Sequence, residues 1–260
     1  MKVSCLQMDM KLARPNENLV HAERLIGEAM KDSPDVVVLP ETWNTGFFPK
    51  ERLEELSDSG KIKARIGELA KNYGVNIVAG SVSNRRGGKV YNTSFVFDRS
   101  GACVAEYDKT HLFTPMGEHS YYAFGDHLST FTLDGVKCGI IICYDIRFPE
   151  IVRSLALSGI EVLFVVSQWP RERIAHLRTL TAARAIENQM YVVCCNSCGR
   201  AENTIFGGNS AVIDPLGNVL SLAGETEEII SAECDMRVVS KIRGKIPVFR
   251  DRRAELYHKL

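Results

Sequence analysis

Short apolar runs alternate along this chain with amphipathic stretches, and this alternation restricts the possible folds more than any other feature. The runs PDVVVLPE, GIIIC, VLFVVS and YVVCC have the length and the β-branched content of buried strands. Between such runs, apolar residues recur at helical spacing, as in IKARIGELAKNYG, which ends at Gly74. Strands that alternate with helices predict an α/β fold in which helices cover a mixed sheet.

Two segments predict β-hairpins, because each has turn-forming residues between two runs of strand-forming residues. VYNTSFVFDRSGACVAEYDK turns at 100–101, and SAVIDPLGNVL turns at 215–217. The segment 111–130 has no clear period, so we expect irregular structure there. VNIVAGSV predicts one strand, and Asn16 is the predicted N-cap of the first helix.

The charge balance and the cysteine content argue against several function classes. Lys and Arg total 32 and Asp and Glu total 32, so no net field attracts nucleic acid or an anionic membrane. No apolar run approaches the length of a membrane span, and MKVSCLQMDM lacks the features of a signal peptide. We therefore expect a cytoplasmic protein that binds neither nucleic acid nor membrane. In that reducing compartment its eight cysteines are expected to be mostly free thiols.

No part of the chain reads as a boundary between domains. The 260 residues contain no linker rich in Gly, Ser or Pro, no internal repeat and no low-complexity segment. A chain of this length with 45% hydrophobic residues is expected to bury roughly 70–75% of the surface that its unfolded form exposes. We therefore predict a single domain over residues 1–260.

Three reactive side chains follow predicted strands. Glu41 comes after VVVLP, Lys109 comes after the first hairpin, and Cys143 comes after GIII. Ligands gather where the strands of open sheets end, so a carboxylate, an ammonium and a thiol are expected to meet. The carboxylate would deprotonate the thiol, while the ammonium and the backbone N–H of Tyr144 would stabilise an oxyanion. Taken singly, each also fits an ordinary role as a solvated charge or a core thiol.

The segments VVVLPETWNTGF, EYDKTHLF and GIIICYDIRFPE resemble, in this order, the three signature segments of the nitrilase superfamily of carbon–nitrogen hydrolases. The resemblance covers nearly the whole chain and implies a four-layer α-β-β-α sandwich. It also implies that Glu41 is the general base, Lys109 the transition-state stabiliser and Cys143 the nucleophile. To Glu118, in MGEHSYY, it assigns the orientation of the lysine and help in proton transfer. It implies no metal and no organic cofactor.

Within the superfamily, KTHLF, CYDIRFPE, ARAIENQ and YVVCCNSCG are most similar to the omega-amidase group. The bacterial 2-oxoglutaramate amidases associated with methionine salvage are the most similar members of that group. This likeness implies that the amide of a short dicarboxylic monoamide is hydrolysed to the acid and ammonia through a thioester on Cys143. The expected partner is therefore a small-molecule amide with a carboxylate at its far end.

Arg147, four residues beyond Cys143, is our candidate for binding that distal carboxylate. A guanidinium can bind a carboxylate with two parallel hydrogen bonds. The alternative is that Arg147 pairs with Asp145 or Glu150 and braces the turn. The residues expected to form the wall of the pocket are Gln168, Trp169, Phe47 and Tyr122.

Several alternatives remain open at this point. Another amidase of the superfamily would act on deaminated glutathione, a carbamoylated amine or a nitrile, and a non-catalytic binding or scaffold protein would keep the same fold. A dyad of Cys143 with His111 is the rival chemistry. CNSC, at 195–198, has the C-x-x-C spacing of redox motifs, but no helix begins there and no second pair supplies zinc ligands.

The resemblance also implies an assembly. Its members pair through helices, stacking two sandwiches, so we expect a homodimer or a higher homo-oligomer. The segments expected at that interface are 149–158, 176–189 and the tail from about 240. Periodicity alone does not indicate such an interface.

Overall fold

The computed structural model describes residues 1–257, which form fifteen strands and seven α-helices. The strands are β1 (Lys2–Gln7), β2 (Val36–Val38), β3 (Asn76–Val78), β4 (Val82–Arg86), β5 (Lys89–Phe97), β6 (Cys103–Asp108), β7 (Ser129–Leu133), β8 (Val136–Ile142), β9 (Val162–Ser167), β10 (Tyr191–Asn196), β11 (Arg200–Ala201), β12 (Thr204–Ile205), β13 (Ala211–Ile213), β14 (Val219–Leu222) and β15 (Glu228–Glu233). The helices are α1 (Pro15–Ala29), α2 (Leu53–Leu56), α3 (Lys61–Tyr73), α4 (Pro149–Leu157), α5 (Ile174–Asn188), α6 (Met236–Lys245) and α7 (Ala254–Tyr257).

Two mixed sheets contain most of these strands. The first has the order β15-β1-β2-β3-β5-β4, with β6 paired to β5, and the second has the order β14-β13-β10-β9-β8-β7. In the first sheet β1, β2 and β3 are parallel, and in the second β8, β9 and β10 are parallel. The other pairs in both sheets are antiparallel. Each sheet therefore has parallel strands in its interior, and crevices form where parallel strands end.

Alternate residues of the central strands face different layers. In β2, Val36 and Val38 pack in the core shared with the second sheet, whereas Val37 packs in the core shared with α1 and α3. The helices α4 and α5 cover the second sheet with side chains that include Leu155 and Leu177. The layers are therefore helix, sheet, sheet and helix, which is the four-layer α-β-β-α sandwich that was predicted.

Both predicted hairpins are present, as β5–β6 and β13–β14. The strand predicted over VNIVAGSV is present as β3 but is shorter than predicted, because β3 ends at Val78 and β4 begins at Val82. Gly80 lies between them with a φ of 59°, and a Cβ at this position would lie 2.0 Å from the carbonyl oxygen of Pro40. Only glycine fits this close approach, so the chain bends here and β4 pairs with β5.

The prediction of Asn16 as a helix cap is wrong. Helix α1 begins at Pro15 and its N-cap is Arg14, which makes no capping hydrogen bond with its side chain. Proline suits the first helical position because its fixed φ is already helical. An N–H at this position would have no partner within the helix, so its absence in proline costs no hydrogen bond. Asn16 therefore lies inside the first turn.

The segment 111–130, expected to be irregular, is partly ordered. It contains the 3-10 turns Thr114–Met116 and Glu118–Ser120, and it ends in the first residues of β7. Strand β7 alternates strictly between buried and exposed residues and pairs only with β8. An edge strand of five residues gives a weak signal, because too few alternations separate it from loop.

All eight cysteines are free thiols in this structure. Cys195 and Cys198 of the CNSC segment are buried. The sulfur of Cys195 lies 3.4 Å from the carbonyl oxygen of Leu6 and 3.3 Å from that of Val38, and burial raises the pKa of Cys198 to about 12. These surroundings are those of core thiols, not of a reactive redox pair.

The tail expected at a subunit interface continues through α6 and α7. Its last residues, 258–260, lie outside the described part of the chain. Among residues 1–257, no helix has both the length and the apolar character that crossing a membrane requires.

Candidate active site

Cys143 lies directly after β8, at the first residue of a 3-10 turn that extends over Cys143–Arg147. Its φ of 49° is in the left-handed region, which is uncommon for a residue with a Cβ. Such strained conformations cluster at functional sites and persist only where the surrounding structure holds them. The side chain is partly exposed and lines a cavity, whereas Ile142 before it is fully buried.

The ammonium of Lys109, which follows β6, lies between two carboxylates. Its Nζ donates to Oε1 of Glu41 at 2.8 Å and to both carboxylate oxygens of Glu118 at 3.0 Å. The three residues are only 2%, 4% and 8% exposed, so their charges are compensated by one another rather than by water. Burial opposes the charge of Lys109, but the two carboxylates outweigh it and hold its pKa well above the ordinary value.

Glu41, which follows β2, connects the thiol to this charge network. Its Oε1 accepts from Lys109 and from the side-chain amide of Asn92 at 2.9 Å, and its Oε2 accepts from the backbone N–H of Gln168 at 3.0 Å. Burial and the facing Glu41 carboxylate raise the pKa of the Cys143 thiol well above its ordinary value, while Lys109 acts in the opposite direction. Cys143 therefore rests as a thiol beside a carboxylate that can accept its proton.

Asn92, in β5, belongs to this network but was not predicted. Besides its bond to Glu41, its amide lies 3.5 Å from Oε1 of Glu118. Asparagine is depleted in strands, so an asparagine among the strand-forming residues of KVYNTSFVF was the available signal. Without the strand pairing, nothing in that segment indicates which layer the amide faces.

The network opens on a cavity that encloses about 610 Å³, part of it open to solvent. Every predicted site residue lines it: Glu41, Lys109, Glu118, Cys143, Tyr144, Arg147, Trp169, Gln168, Phe47 and Tyr122. The residues that line it without having been predicted are Thr42, Phe48, Phe113, Met116, Pro170 and Arg173. The structure therefore brings together side chains that follow strands of both sheets, since Glu41 and Lys109 come from the first sheet and Cys143 from the second.

Arg147 does not form the ion pair with Asp145 or Glu150 that would brace the turn. Its guanidinium lies over the ring of Trp169, 4.6 Å from the ring centroid, and its Nη2 lies 3.2 Å from Nδ1 of His176. Within the described residues 1–257, no carboxylate lies within ion-pair distance of Arg147 or of Arg173. Arg147 is therefore a cation in the cavity wall whose charge no carboxylate of the described chain neutralises.

Arg173 is a second cation in the wall. It lies in the 3-10 turn after β9, with its guanidinium 5.4 Å from the ring centroid of Phe113. The neighbouring Arg171 instead forms an ion pair with Glu225 at 2.7 Å. The segment RER offers two arginines, and only the geometry of the turn decides which of them faces the cavity.

His111, the rival base, does not line this cavity. Its Nδ1 lies 2.9 Å from Oδ1 of Asp145, and its ring stacks on Phe148 with the centroids 3.8 Å apart. The geometry therefore favours the glutamate over the histidine as the base for the thiol. A thiol, an adjacent carboxylate and an ammonium can carry out nucleophilic acyl transfer. Among residues 1–257, no group of three or more His, Cys, Asp or Glu side chains could hold a metal ion.

Known proteins are similar to this chain over most of its length. The family model described as carbon-nitrogen hydrolase matches residues 2–243. The chain is 44% identical over 257 residues to the 2-oxoglutaramate amidase of Bacillus subtilis (strain 168), covering 98% of each chain. It is 35% identical to Omega-amidase NIT2 of Danio rerio, covering 93% of this chain and 91% of that protein. The crystal structure of Saccharomyces cerevisiae Nit3, a member of branch 10 of the nitrilase superfamily, superposes with a TM-score of 0.89 at 28% identity, covering 97% of this chain and 96% of that one. The chain therefore belongs to the carbon–nitrogen hydrolase family of the nitrilase superfamily, as its three signature segments predicted.

Proposed function

We propose that this protein is an omega-amidase that hydrolyses the amide of a short dicarboxylic monoamide, with 2-oxoglutaramate as its preferred substrate. The observation that carries the proposal is the meeting of Cys143, Glu41 and Lys109 at the wall of a cavity that also contains Arg147 and Arg173. The identity of 44% to a 2-oxoglutaramate amidase supports this choice of substrate.

In the first half-reaction, Glu41 accepts the proton of Cys143 and the thiolate attacks the amide carbonyl carbon. The carbonyl π electrons move to oxygen, where Lys109 and the backbone N–H of Tyr144 stabilise the negative charge. That N–H lies in the first turn of the 3-10 helix Cys143–Arg147, where N–H groups have no partner within the helix. When the oxyanion collapses, the C–N bond breaks and the leaving nitrogen takes the proton from Glu41. Ammonia departs, and a thioester remains on Cys143.

In the second half-reaction, water attacks the thioester. Glu41, again a carboxylate, accepts a proton from the water as the C–O bond forms. Collapse of the second oxyanion breaks the C–S bond, the thiolate regains its proton from Glu41, and the acid product leaves. Glu118 holds the Lys109 ammonium with two hydrogen bonds of 3.0 Å, so the cation stays oriented through both halves. No group outside the chain, the substrate and water is needed to balance either step.

The cations of the wall suit the far end of such a substrate. A guanidinium binds a carboxylate with two parallel hydrogen bonds, and contact with Trp169 restricts the plane of Arg147. Phe47 and Tyr122 are also fixed, since Phe47 packs on Phe206 with ring centroids 5.1 Å apart and the Tyr122 hydroxyl lies 2.7 Å from Oγ of Ser83. A rigid, mostly aromatic wall with cations is expected to select small anionic amides.

The substrate is tested by comparing ammonia release from 2-oxoglutaramate, succinamate, glutarate monoamide and deaminated glutathione. We expect 2-oxoglutaramate to give the highest kcat/KM. For Arg147→Gln, we expect KM for 2-oxoglutaramate to rise by about 10- to 100-fold with a smaller change in kcat, because a charged hydrogen bond to the carboxylate is lost. The matched control is Arg171→Gln, which removes a guanidinium that pairs with Glu225 outside the cavity.

Other outcomes of this comparison would favour the alternatives. A higher kcat/KM for deaminated glutathione, a carbamoylated amine or a nitrile would indicate another activity of the superfamily. If no amide released ammonia and a thiol-reactive substrate analogue left Cys143 unlabelled, a binding or scaffold protein with this fold would be the better description. An unchanged KM in Arg147→Gln would indicate that another group binds the substrate carboxylate, with Arg173 as the first candidate.

We further propose that the protein assembles as a homodimer or a higher homo-oligomer. Each segment expected at the interface carries large apolar side chains that are exposed in the single chain: Leu157, Ile186, Ile246, Leu256 and Tyr257. Contiguous apolar patches mark surfaces that a partner covers, and we propose that these side chains contribute to such a patch. Light scattering coupled to size-exclusion chromatography should give at least twice the mass of the chain, and a stable monomer at micromolar concentration would contradict the proposal.

A further inference from the structure

Asp145 is fully buried two residues beyond Cys143 and takes no part in the reaction steps above. Its carboxylate is the acceptor at the centre of five short contacts. The partners are the backbone N–H of Ile142 at 2.9 Å, the hydroxyl of Tyr107 at 2.7 Å, the hydroxyl of Thr110 at 3.1 Å, and the backbone N–H and Nδ1 of His111, both at 2.9 Å. So many donors on one buried carboxylate require a specific arrangement of the chain around it.

These donors come from two separate segments. Ile142 directly precedes Cys143, whereas Tyr107, Thr110 and His111 lie on both sides of Lys109 in the sequence. One oxygen, Oδ2, accepts from Ile142 and from Tyr107, and Oδ1 receives the contacts from Thr110 and His111. Asp145 therefore connects the segment that carries the thiol to the segment that carries the ammonium.

Stabilisation of its own turn does not explain this arrangement. Asp214, another buried aspartate, shows what a turn residue does, since its carboxylate binds the backbone N–H groups of Leu216 and Asn218 and the side chain of Asn218. All those donors lie within four residues of Asp214. Of the donors to Asp145, only Ile142 is local, and the others are 34 to 38 residues away.

We propose that Asp145 is a positioning residue that fixes Cys143 and Lys109 relative to one another. The thiol follows β8 of the second sheet and the ammonium follows β6 of the first, so no single element sets their separation. Reacting groups must be held within about 0.5 Å of the productive geometry, and a misplacement of about 1 Å can cost about 10²-fold in rate. The left-handed φ of Cys143 also needs neighbours that hold it, and the bond to Ile142 is one of them. This inference rests on the proposed roles of Cys143 and Lys109.

The test is Asp145→Asn, which keeps the shape of the side chain but replaces one accepting oxygen by an NH₂ group. We expect kcat to fall by about 10²-fold and KM to change much less, because the geometry of attack is lost while the cavity remains. The matched control is Asp214→Asn, the same substitution at a buried turn far along the chain, which should lower Tm and leave kcat unchanged. Tyr107→Phe, a milder change, removes one donor on the Lys109 side and should lower kcat by about tenfold.

A measurement without substrate separates this inference from the proposed function. The rate at which iodoacetamide alkylates Cys143 is followed against pH by mass spectrometry, which distinguishes this residue from the exposed Cys103. The groups that act on the sulfur are Glu41 and Lys109, so the wild-type profile should differ from that of an ordinary thiol. In Asp145→Asn the profile should move towards the ordinary one.

Two results would overturn the inference. One is a folded Asp145→Asn protein whose kcat and alkylation profile both match those of the wild type. The other is a loss of kcat that is proportional to the loss of Tm, by the same factor, in Asp145→Asn, Tyr107→Phe and Asp214→Asn. Asp145 would then affect activity only through the stability of the fold. If the wild type hydrolysed no amide at all, the proposed function would fail, and the alkylation profiles would still decide whether Asp145 positions the thiol.

Discussion

Replacing Cys143 by alanine should lower kcat for amide hydrolysis by about 10⁴-fold or more, because Cys143 is the only thiol among the described residues that line the cavity. The substitution removes one sulfur atom from a side chain that lines the cavity, so the fold should be unaffected. Mass spectrometry of the protein quenched during turnover should detect an acyl group on Cys143 in the wild type and none in the variant.

The control for this experiment is Cys103→Ala, since Cys103 is an exposed thiol outside the cavity. It should keep the wild-type kcat and the wild-type acyl adduct. Ammonia release by Cys143→Ala at the wild-type rate would contradict the covalent mechanism. Such a result would favour a mechanism in which water attacks the amide without a covalent intermediate, with Glu41 as the base.

Replacing Lys109 by methionine should affect both activity and stability. Methionine keeps much of the volume but removes the ammonium that lies between Glu41 and Glu118. Two buried carboxylates are then left facing one another, and breaking a buried ion pair in this way costs about 3–5 kcal/mol of the free energy of unfolding. The loss of an oxyanion donor should lower kcat by about 10²–10³-fold in the protein that still folds.

The pH dependence of this loss follows from the charges. The pKa of Lys109 is raised in the folded state above its ordinary 10.5, so its contribution to stability is complete at neutral pH and is lost only as the pH rises past that value. In Lys109→Met, protonation of a carboxylate relieves the repulsion, so the variant should become more stable relative to the wild type as the pH falls from 8 to 5. Urea unfolding at both pH values measures this difference.

A lysine at the surface provides the matched control. Lys63 forms an ion pair with Glu106 at 2.9 Å, and its side chain is 38% exposed. Lys63→Met should change the free energy of unfolding by less than about 1 kcal/mol, because exposed ion pairs contribute little. An equal effect of the two substitutions would show that burial between two carboxylates does not distinguish Lys109.

Sequence patterns predict those features of this molecule that neighbouring residues in the chain determine. The apolar runs predict the strands, and the positions of Glu41, Lys109 and Cys143 just after strands predict that they meet. The three signature segments add the order of the layers, which periodicity alone does not contain. The sequence patterns and the signature segments together therefore predict the fold and the ten residues that line the cavity.

Sequence patterns do not predict the contacts between segments that are distant in the chain. Asn92 faces Glu41 because β5 lies beside β3 in the first sheet, and Arg173 faces the cavity because of the turn that follows β9. The break at Gly80 depends on the backbone of Pro40, and the role inferred for Asp145 depends on donors more than 30 residues away. Each of these features is a tertiary contact, and no window of sequence around one residue encodes it.

The division of the reactive groups between the two sheets has a consequence for the newly made chain. Glu41 and Lys109 belong to the half that leaves the ribosome first, and the sulfur of Cys143 belongs to the half that follows. Neither half alone brings the sulfur to its base. In an incompletely folded molecule the Cys143 thiol therefore has no carboxylate beside it to accept its proton, and the two groups meet only when the two halves have joined.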